Sequence, residues 1–385
     1  MRYPETLYSI KGATFKTVDL PTMREVRGKE WVYYGQDNLW PLNLIELYDS
    51  SAMHHTCIDA IKDGIYGEGI IEWGDTYVNS KGETLNDVFI KVALDYSLYG
   101  GYSLNVIWNK EGSGIAEMYH LPFADVRSGK MTDEGNVDEY FYSVDWKNTR
   151  KFVPQSYKAF DTTDVKGDNA SQIYYVYTYT PGTYTYPLPS YVGALNDIAL
   201  DAAVSRWHSN NISNGLAPSM FIQFRNGIPS PEERQDIYRD LENTFSGEQN
   251  AGRFFLSFSR PGEEAQVTPI ENANDDYYIV LDERISSRIL TAHRISSPLL
   301  LGIKDSSGFS SNADEMVVAY SHFENTVIAP KRKVVIDNMN YIFKLMGYNV
   351  KLVVEPNRIV DEAFITKKEV IDNGQDSTTG IGAAL

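Results

Sequence analysis

The residues of this 385-residue sequence best suited to chemistry lie close together, at His54-His55, Cys57 and Asp59. His55 and Asp59 are four apart, a spacing that puts both side chains on one face of a helix, and imidazole with carboxylate is a usable pair of metal ligands. A metal-dependent hydrolase built on residues 54–59 is therefore one reading. No third ligand is evident in the sequence, and Cys57 would need a base and an orienting group from elsewhere to act as a nucleophile. A lone cysteine in an apolar helix is ordinarily just packed. The neighbouring carboxylates Glu263-Glu264 and Asp275-Asp276 point in different directions along a chain and suit turns or caps. No GxxxxGK with Ser or Thr after it, GxGxxG, GxSxG or HExxH occurs, so neither cofactor nor metal is expected.

The bulk properties bound the rest. A hydrophobic share of 42% over this length can bury one large core or several smaller ones. The single cysteine excludes an internal disulfide framework and fits a reducing compartment. Residues 1–20 contain no apolar run, and no later stretch approaches about 20 apolar residues, so a soluble protein made inside the cell, without a membrane span, is expected. The net charge of −17 opposes tight phosphate binding but not the passage of nucleic acid nearby. Tyrosine is abundant, 27 in all, with a dense run at Tyr174, Tyr175, Tyr177, Tyr179, Tyr184 and Tyr186. An apolar ring with a polar tip suits subunit contacts, and an ordinary Tyr-rich sheet explains the run equally well.

The elements that must position these residues follow from periodicity and punctuation. Two short helices are predicted within 43–62, where Leu44, Leu47, Ile58 and Ile61 flank a polar stretch at 49–55, and Gly64, Gly67 and Gly69 close the unit. A helix over 85–99 stops at Gly100-Gly101, a hairpin pairs 103–108 with 115–120, and a third strand lies at 173–179. A helix over 191–214 ends at Asn214-Gly215. Strands at 220–224, 253–258 and 266–270, with a helix opening on Ser230-Pro231-Glu232-Glu233, make a small module between that helix and a second one running from 275 to Pro298. A polar loop at 304–311 leads into a third long helix capped by Ser311, whose apolar stripe is Met316, Tyr320, Phe323, Val327, Val334, Tyr341 and Leu345. Pro330 lies inside that helix. It has no N–H for the carbonyl of Thr326 and its ring crowds the preceding turn, so a kink is predicted there. A strand at 350–354 and a frayed tail of small residues at 375–385 complete the chain.

This order of an α+β base, a helix up, a small cap, a helix down, a polar loop and a long kinked helix resembles the portal proteins of tailed bacteriophages. Four stretches carry the resemblance. Tyr34-Gly35-Gln36-Asp37-Asn38-Leu39-Trp40-Pro41, followed by Leu44, Leu47, Ser51, His54, Ile58 and Gly67-Glu68-Gly69, is similar to the opening of many portals. Tyr99-Gly100-Gly101, Tyr119-His120-Leu121-Pro122 and Asp125-Val126-Arg127 resemble the hairpin of the family's wing. Asn211 to Pro218 resembles the junction of stem and clip, and Ser297 to Ile303 with Gly308 to Glu315 and Ala329-Pro330 resembles the loop and kinked helix. Together they span most of 31–346, while the C-terminal region leaves little room for a crown.

The resemblance implies an α+β portal fold: an N-terminal wing at 1–190, a stem helix at 191–214, a clip at 215–274 and a second stem helix at 275–298. The tunnel loop, kinked wing helix and closing strand would then take 299–355, and a short crown or flexible tail 356–385. It also implies a ring of twelve copies at one capsid vertex in the virion, made in the host cytoplasm, passing double-stranded DNA. Its partners would be the major capsid protein, the terminase large subunit and a head-tail adaptor. Lys304, Asp305, Ser306, Ser307, Gly308, Phe309, Ser310 and Ser311 would form a DNA-contacting tunnel loop, whose plainer reading is a helix connector. Pro330 would mark the kink, and Asn214, Gly215 and Pro218 the junction of stem and clip. Arg284, Arg288 and Arg294 could pair with Asp197 and Asp201 across the stem, although such charges more often form a solvated face. A different ring-forming connector of the virion, and the hydrolase, are the alternatives.

Overall fold

A computed structural model describes residues 18–213, 220–224, 230, 232–233, 235–236, 254–258, 266–269, 275–303 and 313–357. They divide into a larger unit, formed by Asp19–Ala194 with the described residues from Ile289 onward, and a smaller unit, formed by Val18 and the described part of Leu195–Arg288.

The larger unit opens with an antiparallel ribbon of β1 (Met23–Glu25) and β2 (Val32–Tyr34). Helices α1 (Trp40–Ser50) and α2 (Ala52–Tyr66) follow, parted by Ser51 alone, whose hydroxyl accepts the N–H of His54 as the N-cap of α2. Helix α3 (Leu85–Tyr99) has the bounds predicted for it. Thr84 and Asp87 form a complete capping box at its start, and Gly100 ends it in the left-handed region at φ 77°, a conformation glycine adopts without steric cost. The hairpin of β3 (Gly101–Trp108) and β4 (Ile115–Leu121) is where the sequence places it.

Three strands that sequence reading missed, β5 (Val126–Ser128), β6 (Glu139–Tyr142) and β7 (Gln155–Ala159), join with β8 (Ser171–Tyr177) to extend the hairpin into a six-stranded sheet of order β4-β3-β8-β7-β6-β5. Every neighbouring pair is antiparallel except β7 with β8. Helix α3 packs on β3 and β4 and α2 packs on α3, which encloses Ile58, Ile61, Val88, Phe89, Leu104 and Val106. Removing these apolar side chains from water is the main drive for assembling the unit.

In the smaller unit, α4 (Leu195–Ser213) and β9 (Met220–Phe224) precede β10 (Phe254–Phe258) and β11 (Gln266–Pro269). Strand β9 is central, parallel to β10 and antiparallel to β11. A parallel pair needs a crossover between its strands. Between β9 and β10 a helix opens at Ser230, where the N–H of Ser230 donates to Glu233 Oε2 at 2.8 Å and the N–H of Glu233 donates to Ser230 Oγ at 3.3 Å. This is the helix start read from the sequence.

The next helix, α5 (Asp275–Ala292), carries the chain back to the larger unit and stops short of the expected Pro298. The N–H of Ile295 donates to the carbonyl of Leu290 and that of Arg294 to Thr291, a Schellman closure with Arg294 at φ 60° in the position glycine usually takes. Arg294 is therefore not on the helix, contrary to expectation.

The last long helix runs unbroken from Ala313 to Leu345 but is not α-helical throughout. Between α6 (Ala313–Phe323) and α7 (Ala329–Leu345) the chain makes a π-helical turn, Glu324–Ile328, closed by the N–H of Ala329 on the carbonyl of Glu324. The wider turn gives the ring of Pro330 the space that an α-turn denies it. It also adds a residue, which rotates the buried face beyond it: Phe323 and Val327 of the predicted stripe are buried, but past the turn the buried residues are Val335, Met339, Ile342 and Phe343, whereas the predicted Val334 and Tyr341 are 38% and 44% exposed. The strand expected at 350–354 forms no sheet. Val354 makes an isolated bridge with Ile70, and the N–H groups of Ile71 and Glu68 donate to Val353 and Glu355. The approach is close enough that a Cβ on Gly67 would lie 2.2 Å from the carbonyl oxygen of Glu355. The tail at 358–385 lies outside the described residues.

Arg332 fastens α7 to α2. Its guanidinium donates to the carbonyls of Ile65 and Gly64 at the C-terminal end of α2, where no intrahelical partner exists, and to both carboxylate oxygens of Glu324 in the π turn, at 2.6 and 3.2 Å. Both side chains of this ion pair are nearly buried, 10% and 12% exposed. Arg332→Met should therefore lower the unfolding free energy of the larger unit by about 3–5 kcal/mol, because it strands a carboxylate away from water. Adding Glu324→Gln should return part of that loss in urea denaturation followed by tryptophan fluorescence.

Candidate functional site

The opening motif at 34–41 and the Asp125-Val126-Arg127 motif, far apart in sequence, meet at one buried charge. The Arg127 side chain has no solvent exposure. Its Nε donates to Asn38 Oδ1 at 2.8 Å and Nη2 to the Asn38 carbonyl at 2.7 Å, while Nη1 donates to the carbonyls of Ala124 and Val126, both at 2.8 Å. The indole of Trp146 covers the guanidinium at 4.8 Å. Asn38 adopts the left-handed region at φ 66° and takes the N–H of Tyr34 on the same Oδ1. Burial pushes the carboxyl of nearby Asp125 up to about 6, against the pull of the Arg127 cation.

The tyrosine run divides. Tyr186 is fully buried, stacks on Tyr34 with ring centroids 4.1 Å apart, and donates to the carbonyl of Val32 at 2.6 Å while accepting the N–H of Ser128. Tyr174 donates to Asn338 on α7. Tyr179 and Tyr184 are 75% and 72% exposed. The second motif is tied inward too, since His120 Nε2 lies 2.8 Å from Asp95 Oδ2 on α3, which also accepts the N–H of Phe123.

Among the proposed stem charges, Arg288 on α5 and Asp197 on α4 approach to 3.1 Å, with the arginine side chain 71% exposed. Such a pair contributes at most about 1 kcal/mol. Asp201 stands one turn further along α4, and Arg284 is exposed on α5. The tunnel-loop residues Lys304 to Ser311 and the junction residues Asn214, Gly215 and Pro218 lie outside the described residues.

The 54–59 cluster is dispersed by its helix. His54 points into the core, with Nδ1 2.9 Å from Nε2 of His293. Burial pushes the Cys57 thiol up to about 12, far from a reactive thiolate. His55 and Asp59 lie toward solvent, 3.4 Å apart, with Asp59 also accepting from Tyr48 and Lys62. Among the described residues no three His, Cys, Asp or Glu side chains come together as metal ligands, and no helix is long and apolar enough to cross a membrane. His293 escaped sequence reading because no local motif surrounds it and its partner is distant in the chain.

Replacing Arg127 with lysine keeps the charge but cannot reproduce the planar fork or its four hydrogen bonds. The expected result is a stability loss of about 3 kcal/mol, read as a lower midpoint in chemical denaturation.

No family model matches the chain, and no curated protein matches its sequence. Solved structures do. A chain from the virion of a native gene transfer agent particle superposes with a TM-score of 0.57 at 16% identity, covering 89% of this chain and 91% of that one. A chain from the neck of the native particle, computed with C12 symmetry, gives 0.56 at 16% identity over 91% and 92%. An HK97 family phage portal protein from Corynebacterium diphtheriae is less similar, at 0.47 and 10% identity over 84% and 96%. The α+β fold of this chain, nearly end to end, is that of the gene transfer agent virion and neck chains.

Proposed function

We propose that this chain is a portal subunit: copies close into a ring at one vertex of a phage-type capsid, and double-stranded DNA enters and leaves through it. The observation that carries this reading is that a neck chain from a particle treated with C12 symmetry shares the fold over nine-tenths of both chains, 91% and 92%. The motifs resembling portals at 34–41, 119–127 and 297–330 add to it. In this reading the chain is a structural channel subunit and not an enzyme. The packaging motor is a terminase large subunit docked on the clip at 215–274, a head-tail adaptor later takes its place, and the major capsid protein surrounds the wing at 1–190. The ring resides in the virion.

A DNA channel must neither leak nor stick. A basic lining would bind phosphates, and each neutralised phosphate would tighten the grip and slow transit. Copies that each carry −17 create instead a repelling field around a polyanion. Lys304 is then a sparse cationic contact, Gly308 supplies backbone freedom, and Phe309 is a bulky tip that touches DNA or a neighbouring copy. Helices α4 (Leu195–Ser213) and α5 (Asp275–Ala292) form the stem.

Native mass measurement and electron microscopy of the purified chain test the ring: closed rings, twelve copies each, with a hole wide enough for duplex are expected, and monomers or narrower rings would remove the reading. Deleting Gly308 to Ser310 should leave rings intact and impair packaging or retention of DNA. Loss of rings in that variant would make the loop a structural element.

A further inference from the structure

The chain leaves the larger unit after Ala194 and returns to it at Ile289. Tyr191 lies just before the departure and His293 just after the return, and both pack on the same side chain. The ring of His54, on α2, is centred 4.5 Å from Tyr191, which is 4.9 Å from His293, and the two imidazoles share the 2.9 Å contact between Nδ1 and Nε2. Tyr191 is further anchored through its hydroxyl, which donates to the carbonyl of Leu98 at 2.7 Å. All three side chains are buried, at 0%, 2% and 0% exposure for His54, His293 and Tyr191.

One hydrogen bond between two neutral imidazoles leaves one nitrogen on each ring. Here these are His54 Nε2 and His293 Nδ1, both buried without a hydrogen-bond partner. Whichever ring donates, one N–H and one lone pair go unmet. The pair can accept a proton but has no anion to hold it. The groups acting on the rings are His55 on α2 and Lys331 on α7, both of which would repel an imidazolium, with Arg294 in the turn after α5 adding to the charge around Lys331. Their further neighbours include Tyr191, Tyr48 of α1, edge-on to His54, and Ser51 at the N-cap. None of the groups acting on either ring is a carboxylate. Desolvation holds His54 down to about 3 and His293 well below its usual range.

We propose that His54, His293 and Tyr191 form a latch that opens on acidification: while the rings are neutral it fastens to α2 both stretches by which the chain leaves and re-enters the larger unit, and protonation releases them. The sign follows from linkage. An opened histidine takes up its proton near its ordinary value of 6.5 and the closed one does not, so the open state binds more protons in acid. The latch is at full strength above that value and weakens as the pH falls below it. This inference is independent of ring formation.

Hydrogen exchange of the full chain, read by mass spectrometry and corrected for intrinsic rates, tests it. Between about pH 7.5 and about pH 5, protection of peptides over 188–196 and 289–297 should fall by about 30-fold for each ring that charges, with the β3–β8 core much less affected. In the double variant His54→Asn with His293→Gln, side-chain amides stand in for Nδ1 and Nε2, so the contact persists with nothing to protonate. It should match the wild type at neutral pH and lose the acid response. The same response in the double variant, or an even rise across all peptides of the wild type, overturns the latch. Should that variant not fold, exchange at the imidazole C2 position in the wild type decides: both rings titrating well below 6.5 supports the latch, and an ordinary midpoint for either ring overturns it.

Discussion

The larger unit is organised around a cation that water does not reach. Burying a guanidinium costs several kcal/mol unless its donors are met, and Arg127 meets them with the Asn38 side chain, three backbone carbonyls and the face of Trp146. This arrangement fixes more than one residue. Asn38 must hold its left-handed turn to present both oxygens, the turn into β5 must aim the carbonyls of Ala124 and Val126 inward, and the segment before α1 must lie against the far edge of the sheet. Trp31 bridges to Gly129 on that same edge, so the edge strand is covered and not left open for stray pairing.

Arg332 solves a related problem at the other end of the helical layer. The last carbonyls of α2 have no partners within the helix, and this side chain supplies them from α7 while holding the carboxylate of the π turn. Both arginines serve backbone oxygens at points where regular structure stops. That use of arginine makes the irregular joints as well determined as the helices they connect.

What could be read from the sequence follows from where the determinants lie. Thr84 with Asp87 and Gly100 are local signals that bound α3, which was placed closely, and Ser230 with Glu233 mark a helix start where one was read. Strands β5, β6 and β7 span three to five residues each and sit among turns, too short for alternation to register. The end of α5 was misread because arginine occupies the position where glycine is the usual sign. The buried face of α7 was read one residue out of phase, since an inserted residue in a π turn leaves no mark beyond Pro330 itself. The contact of His54 with His293 joins residues 239 positions apart, and nothing in a single sequence links them.

The chain's only cysteine has a practical side. Cys57 is sealed from solvent and its thiol is kept protonated, so alkylating and spin-labelling reagents meet an effectively blank surface on the folded protein. A cysteine introduced at an outward position such as Tyr179 or Val318 would be a single address for a fluorophore or a crosslinker, with no need to strip the native thiol first.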